Sequence, residues 1–226
     1  NGCGKSTLLN LIAGRLTPTS GHITRGETVR VGYLAQEMPP LDPNQRAIDR
    51  VRDVGGTVQT DRGALTAAQL MEQFLFPPDL QYTPVGRLSG GERRRLCLLC
   101  VLMAAPNVLL LDEPTNDLDI ETLTVLEDYL EHFPGAVMAV SHDRYFLDKM
   151  ARELFALGEG GELLRLSGGY SDNLPALRAQ EAAAASGRAG APHSAAPAPS
   201  GSPASASASS HPASSAPDSP ASPGKP

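Results

Sequence analysis

The feature that most constrains this chain is an apolar run that ends in two adjacent carboxylates. Leu109, Leu110 and Leu111 lead directly into Asp112 and Glu113. An unbroken apolar run is typical of a parallel strand that is buried on both faces. Two acids at the end of such a strand suit a site in which one holds Mg²⁺ and the next acts on a water. The run therefore predicts a nucleotide-hydrolysis site on a parallel sheet.

The first residues match the end of a phosphate-binding loop. Glycines in such a loop let backbone N–H groups surround phosphates, while Lys5 would neutralise the β and γ oxygens and Ser6 would hold Mg²⁺. A chance Gly-Lys-Ser turn is the alternative for this motif alone, and the acidic strand downstream makes it negligible. The first glycine of the pattern, a preceding strand and an initial Met are all absent, so we expect a fragment of a longer protein. The proposed loop residues are Asn1, Gly2, Cys3, Gly4, Lys5, Ser6 and Thr7.

The hydrophobic pattern along the chain predicts an α/β fold with a parallel sheet and an inserted helical segment. Helices are expected over Lys5 to Arg15, Arg46 to Asp53, Ala64 to Phe76, Ser89 to Ala104, Ile120 to Phe133 and Ser171 to Ala185. Strands are expected over His22 to Thr24, Val29 to Leu34, Val108 to Asp112 and Ala136 to Ser141, with a hairpin of Leu154 to Leu157 and Glu162 to Leu166.

A capping-box pattern precedes the long helix before the acidic strand. Ser89 is followed three residues later by Glu92, and Gly90 and Gly91 lie between them. The simple interpretation is a helix cap. The sharper one, which we favour, is that the same exposed N–H groups also bind a phosphate.

Charge and composition exclude several other classes. The net charge of −6 provides no bulk attraction to nucleic acid or to an anionic membrane. No stretch approaches the ~20 apolar residues that span a bilayer. The 3 cysteines are too few for a disulfide framework or a four-ligand zinc site, which favours a reduced cytoplasmic setting. Cys97 and Cys100 form a C-x-x-C within an apolar helical stretch, which favours packed thiols over redox chemistry.

The last part of the chain is nearly all Ala, Ser, Pro and Gly. Such a composition cannot bury a core, so we expect residues 186–226 to form a disordered tail. A short basic run is formed by Arg93, Arg94 and Arg95. These residues could contact ribosomal RNA, but we favour the simpler interpretation, a helix face exposed to solvent.

His142 follows the second buried strand, where a parallel sheet places functional residues. In order, the chain shows a phosphate loop, Gln36 after a strand, Leu88-Ser89-Gly90-Gly91-Glu92, an acidic strand and His142. That set resembles the ATP-binding-cassette (ABC) ATPases, a branch of the P-loop NTPases.

The resemblance covers almost all of residues 1–174 and implies a partial cassette there. The residue pattern adds a helical subdomain at about 38–104 and a terminal helix at 175–185. The resemblance also implies a head-to-tail pair of cassettes, with ATP between the phosphate loop of one and the signature Leu88 to Glu92 of the other. By position, Gln36 would contact Mg²⁺ and the attacking water, Asp112 the metal and His142 the γ-phosphate. Glu113 would be the general base, and Asp117 and Asp119 would form the loop that communicates across the dimer.

Two segments resemble one group within this family, the ABC-F proteins: Pro114 to Asp119 and Ser141 to Leu147. ABC-F proteins carry two cassettes on one chain and are linked to ribosome binding and translation. Further segments resemble the second cassette of Uup-like proteins: Leu75 to Pro77, Thr83 to Val85, Asp119 to Leu123 and Gly168 to Asp172. Many Uup-like proteins end in a basic coiled coil tied to nucleic-acid binding, which the Pro/Ala/Ser tail replaces here.

Three alternatives stay open at this point. The ATP-binding subunit of an ABC transporter would share every catalytic motif. A DNA-repair ATPase of the Rad50 or SMC kind would interrupt the cassette with a long coiled coil, and the interval from Thr7 to Leu88 holds no sustained heptads. An inert interaction fragment is the third, and we expect the isolated chain to be poorly stable and not to turn over ATP.

Overall fold

A parallel sheet forms the centre of the fold. The computed structural model describes residues 4–60, 63–116, 118–158 and 161–179. Within them β1 (Val31–Leu34), β4 (Val108–Asp112) and β5 (Ala136–Val140) pair in the order β1-β4-β5, with both pairs parallel. The central strand β4 is the apolar run with which the sequence analysis began. The expected parallel sheet and P-loop type of architecture are confirmed.

The two faces of the sheet pack against different helices. Leu110 points to the α1 (Lys5–Ala13) face and packs with Leu9 and Tyr33. Leu109 and Leu111 belong to the larger hydrophobic cluster, which includes much of α5 (Gly90–Met103). Because side chains alternate along a strand, an unbroken apolar run supplies both faces at once.

Close packing of α5 on β1 depends on a glycine. A Cβ added to Gly32 would lie 2.8 Å from Pro106 Cγ and 3.0 Å from Val101 Cγ1. Any larger residue there would push the helix away from the strand.

The segment between β1 and α5 differs in part from the expected helical insertion. It contains α2 (Ala47–Val54), the antiparallel pair β2 (Thr57–Thr60) and β3 (Gly63–Thr66), α3 (Ala67–Gln73), α4 (Pro78–Gln81) and a 3-10 turn at Val85–Arg87. The expected helix over Ala64 to Phe76 is wrong at both ends. Thr66 caps α3 through a capping box with Gln69, and Leu75 has a positive φ of 59° that ends the helix.

Two further differences concern short elements. No strand is present at residues 22–24, within the described part of the chain. Helix α7 (Arg144–Met150) follows β5 and is not predicted from the pattern. Asp143 begins it by accepting hydrogen bonds from Tyr145 N and Phe146 N at 2.9 and 3.2 Å.

Beyond α6 (Ile120–Glu131) and α7, the chain forms the expected hairpin. Strands β6 (Glu153–Leu157) and β7 (Leu163–Ser167) are antiparallel. Residues 174–179 are helical. The rest of the expected terminal helix and the expected disordered tail lie outside the described residues. None of the described helices is long and apolar enough to cross a membrane.

Candidate nucleotide-binding site

A cleft of about 510 Å³ opens where the sheet meets the start of α1. It lies at the carboxyl ends of β4 and β5 and after β1, where open parallel sheets bind ligands. Eight of the proposed site residues line it, together with Asn116 and Val140. The eight are Gly4, Lys5, Ser6, Thr7, Gln36, Asp112, Glu113 and His142.

The start of α1 forms one wall of the cleft. Gly4 is its N-terminal cap and has a φ of 92°, a conformation that side chains rarely tolerate. The first backbone N–H groups of a helix lack partners within the helix, and its dipole favours a negative charge there. This wall therefore suits a phosphate. The expected loop residues Asn1, Gly2 and Cys3 lie outside the described residues.

The paired acids form the opposite wall. Asp112 and Glu113 are only 2% and 6% exposed. Glu113 has a φ of 51°, which is strained for a residue with a side chain, and its N–H donates to Val140 O at 2.8 Å. Strain of this kind persists where the surroundings hold the backbone, and here it turns the second acid into the cleft directly after the first.

His142 lies between the lysine and the second acid. Its Nε2 is 3.2 Å from Glu113 Oε1 and 3.4 Å from Lys5 Nζ. A single ring nitrogen can donate to the carboxylate or accept from the ammonium, but not both at once. The backbone N–H of His142 also donates to Glu113 Oε2 at 3.3 Å. The histidine thus links the phosphate wall to the acidic wall.

Asp112 has one paired and one unpaired oxygen. Tyr33 Oη donates to Asp112 Oδ2 at 3.2 Å, whereas Oδ1 is buried without a hydrogen-bond partner among the described residues. Burial, followed by the charge of Asp112, raises the pKa of Tyr33, and Arg15 and Asn10 act in the opposite direction. The phenol therefore stays a donor at physiological pH.

These residues fit Mg²⁺. The ion takes oxygen ligands and usually combines one or two carboxylates with phosphate oxygens and waters. Asp112 supplies a buried carboxylate oxygen that has no hydrogen-bond partner in the described part of the chain, and Ser6 and Gln36 line the same cleft.

Arg94 corrects the interpretation of the basic run. Its guanidinium is buried at 3% exposure and donates to the carbonyl oxygens of Ala35, Gln36 and Asp112. Arg95 pairs with Asp119 at 2.8 Å and is 12% exposed. The prediction of a solvated helix face is therefore wrong for Arg94 and Arg95. Hydrogen bonds from Arg94 to carbonyl oxygens, and from Arg95 to the Asp119 carboxylate, compensate for the burial of their charges.

The signature residues lie outside this cleft. Ser89 caps α5, accepting from Glu92 N at 3.2 Å while its own N–H donates to Glu92 Oε2 at 2.7 Å. Ser89 and Gly90 are exposed, whereas Leu88 before them is buried and Gly91 after them is partly buried. The capping box is confirmed, and it pairs the N–H groups of Ser89 and Glu92 with each other's side chains.

Asp119 is held by its own chain. It caps α6 through Thr122 N at 2.8 Å and bonds to Arg95. Burial acts to raise its pKa, but the bonds from Thr122 and the charge of Arg95 outweigh that effect and lower it. Asp117 lies outside the described residues.

The cysteine prediction is also confirmed. Cys97 and Cys100 are free thiols on α5. Burial raises the pKa of Cys100 to about 11 and also raises that of Cys97. Such thiols are poor nucleophiles, as expected for packed side chains.

Four residues of the site region were not predicted. Asn116 and Val140 line the cleft, and Tyr33 and Arg94 hold its acidic wall. Asn116 could have been predicted, because it lies three residues after Glu113 in the same loop. The contacts of Tyr33 and Arg94 join residues 79 and 18 positions away in sequence, and no motif spacing encodes them.

Comparison with known proteins agrees with this geometry. The family model described as ABC transporter matches residues 1–116. The chain is 52% identical over 184 residues to the uncharacterized ABC transporter ATP-binding protein YfmR of Bacillus subtilis, which covers 81% of the chain and 29% of YfmR. It is 42% identical over 172 residues to the ATP-binding protein Uup of Escherichia coli, which covers 76% of the chain and 27% of Uup.

The energy-dependent translational throttle protein EttA of Haemophilus influenzae is 40% identical over 172 residues, covering 76% of the chain and 31% of EttA. The chain thus spans only about 27 to 31% of the length of these three relatives. A solved ATP-binding subunit of an ABC transporter shares the fold, with a TM-score of 0.61 and 18% identity over 79% of this chain and 80% of that one. The chain belongs to the ABC family of ATPases, and its relatives Uup and EttA place it with the ABC-F ATP-binding proteins.

Proposed function

We propose that this chain is one cassette of an ABC-F ATPase that binds and hydrolyses ATP with Mg²⁺. The observation that carries the proposal is the cleft itself, in which Lys5, the adjacent acids Asp112 and Glu113, and His142 converge from three separate parts of the chain. In this assignment residues 1–174 form a partial cassette, with a subdomain at about 38–104. The choice of ATP over GTP comes from the family.

Each wall of the cleft has a separate task. Gly4 to Thr7 bind the phosphates through backbone N–H groups and the Lys5 ammonium. The sequence pattern of the loop extends that role to Asn1, Gly2 and Cys3. Ser6, Gln36 and Asp112 hold Mg²⁺. When bound, that ion offsets the charge that develops on the phosphate oxygens.

Glu113 acts as the general base. It accepts a proton from the attacking water while its carboxylate is held in place by the backbone N–H of His142. The His142 ring, which reaches both Lys5 and Glu113, donates to the γ-phosphate once the nucleotide separates those two side chains.

A second cassette completes the site. The signature residues Leu88 to Glu92 are remote from the cleft of their own chain, and Ser89 and Gly90 are exposed. An exposed helix N-terminus with two glycines can bind the γ-phosphate held by a partner cassette. Asp117 and Asp119 then communicate between the two sites.

Glu113→Gln tests the catalytic assignment in the natural gene product that contains this chain. The substitution keeps the shape of the side chain but removes the base, so nucleotide binding should persist while phosphate release from this site is lost. The 226-residue chain as a monomer should release little phosphate, because only the signature of a second cassette completes the site. Steady hydrolysis by that chain, or normal turnover at this site in Glu113→Gln, would contradict the proposal.

A cytoplasmic role in translation, in association with the ribosome, is the finer part of the proposal. It is supported by 40% identity to EttA, whose name describes a translational throttle. A test is the sedimentation of the tagged Glu113→Gln gene product in a sucrose gradient with ATP. Migration with ribosomes is expected, and loss of that migration with EDTA-dissociated subunits provides the control.

The second candidate is the ATP-binding subunit of an ABC transporter. It is favoured by the name of YfmR, which is 52% identical. In the same experiment this alternative predicts recovery in the membrane fraction with an integral membrane partner and no migration with ribosomes.

A further inference from the structure

Tyr33 contacts the carboxylate that the proposed Mg²⁺ site requires. It is the third residue of β1, and its hydroxyl donates to Asp112 Oδ2 at 3.2 Å. Tyr33 is only 9% exposed, so little water competes for this bond. The contact joins two adjacent strands directly below the cleft.

The two oxygens of Asp112 therefore have different environments. Oδ2 accepts the tyrosine hydrogen bond, whereas Oδ1 is buried and has no hydrogen-bond partner within the described residues. An unsatisfied buried carboxylate oxygen is costly unless a cation or a donor completes it. Oδ1 is thus the oxygen left for a metal.

Asn10 extends this arrangement to the second proposed ligand. Its Nδ2 donates to the Ser6 carbonyl oxygen at 2.8 Å, and its side chain acts to lower the pKa of Tyr33, against the stronger effect of burial. Arg15, just beyond the end of α1, lies 4.5 Å above the Tyr33 ring. Tyr33 therefore lies between Arg15 and the Asp112 carboxylate.

We propose that Tyr33 is a positioning residue for the Mg²⁺ site, whose hydroxyl holds Asp112 so that Oδ1 faces the cation. The inference rests on the proposed function. Tyr33 does not contact the nucleotide in this assignment. Outer hydrogen bonds that orient metal ligands typically change metal affinity by about 10- to 100-fold when they are removed.

Tyr33→Phe separates this role from packing. The ring packs with Leu9 and Leu110 on the α1 face of the sheet, and phenylalanine keeps those contacts. Only the oxygen atom is lost. Tyr129→Phe is a matched control, because Tyr129 is a partly buried tyrosine on α6 that packs against Phe74 and Phe133 and does not line the cleft.

The experiment measures the affinity of a fluorescent ATP analogue for the full 226-residue chain in Mg²⁺ and in EDTA. The ratio of the two dissociation constants reports how much the metal contributes. For Tyr33→Phe we expect this ratio to fall about tenfold while the affinity in EDTA is unchanged. Tyr129→Phe should keep the wild-type ratio.

Two results would overturn the inference while leaving the proposed function intact. One is an unchanged ratio in Tyr33→Phe. The other is an equal loss of affinity in Mg²⁺ and in EDTA, which would show that the hydroxyl supports the structure in general. A wild-type chain that circular dichroism shows to be folded, yet that binds no nucleotide in Mg²⁺, would instead overturn the proposed function, and this inference with it.

Discussion

At the scale of single residues, Arg94 connects three parts of the molecule through one side chain. It lies on α5 and donates to carbonyl oxygens after β1 and at the end of β4. The residues that carry those carbonyls include Gln36 and Asp112, both proposed ligands of Mg²⁺. The geometry of the acidic wall thus depends on the helix that also carries the signature.

Arg94→Met should therefore destabilise the fold strongly. The change leaves three carbonyl oxygens without their donor, and each buried acceptor left unsatisfied costs about 1–3 kcal/mol. Urea unfolding followed by circular dichroism measures this. Arg93→Met is the matched control on the same helix, with an expected cost below about 1 kcal/mol. Equal losses in the two variants would contradict the role of Arg94.

Asp119 allows a prediction about pH. Its folded-state pKa is lowered from the ordinary value of 3.8, so its charge stabilises the fold above that value, and the contribution is lost as the pH falls through the lowered pKa. Asp119→Asn keeps a helix cap but removes the charge, and its cost at pH 7 should be about 0.5–1 kcal/mol because the group is half exposed.

The measurement is urea unfolding of the wild type and Asp119→Asn at several pH values from 7 to about 2.5. The difference in unfolding free energy between the wild type and Asp119→Asn should narrow below pH 4. A difference that stays constant down to the lowest pH would show that the carboxylate charge is not what stabilises this turn.

At the scale of elements, two helices begin with the same capping box. Ser89 caps α5 and Thr66 caps α3, and in each case the third helical residue bonds back to the cap. The caps are chemically alike, but only the first belongs to the proposed signature. This pair therefore separates helix stability from phosphate binding.

Ser89→Ala and Thr66→Ala should each cost about 1 kcal/mol of stability. Only Ser89→Ala should also impair ATP-dependent pairing of cassettes, because in the proposed assignment only that hydroxyl and its neighbouring N–H groups contact a nucleotide held by a partner cassette. Unfolding measurements and sedimentation velocity with ATP, both on the natural gene product, check the two effects. Equal pairing in the two variants would remove Ser89 from the shared site.

The elements also show what a sequence can reveal. Strand β4 was predicted with the observed bounds, because an apolar run that ends in acids has few other uses. The β2–β3 hairpin was missed, because Thr57 to Thr66 carries only a short alternation and leads directly into a helical pattern. Helix α7 was missed since it has 7 residues and its start depends on the Asp143 side chain.

At the scale of the whole molecule, the motif residues were predicted well and their supports were not. Eight proposed residues from four separate segments meet in one cleft, as expected for the carboxyl edge of a parallel sheet. The contacts of Tyr33 and Arg94 depend on the distance between packed elements, which a pattern in one dimension does not encode. The same limit explains why the buried Arg94 was interpreted as part of a solvated face.

The central claim is that this cleft binds a magnesium nucleotide through the phosphate loop. Calorimetric titration of ATP into the full 226-residue chain, with Mg²⁺ and with EDTA, tests it most directly when Lys5→Ala is measured alongside. We expect binding that requires Mg²⁺ and that Lys5→Ala weakens at least about tenfold, since the ammonium is a principal charge facing the phosphates. Equal affinity in the folded Lys5→Ala chain, or binding indifferent to Mg²⁺, would contradict the account.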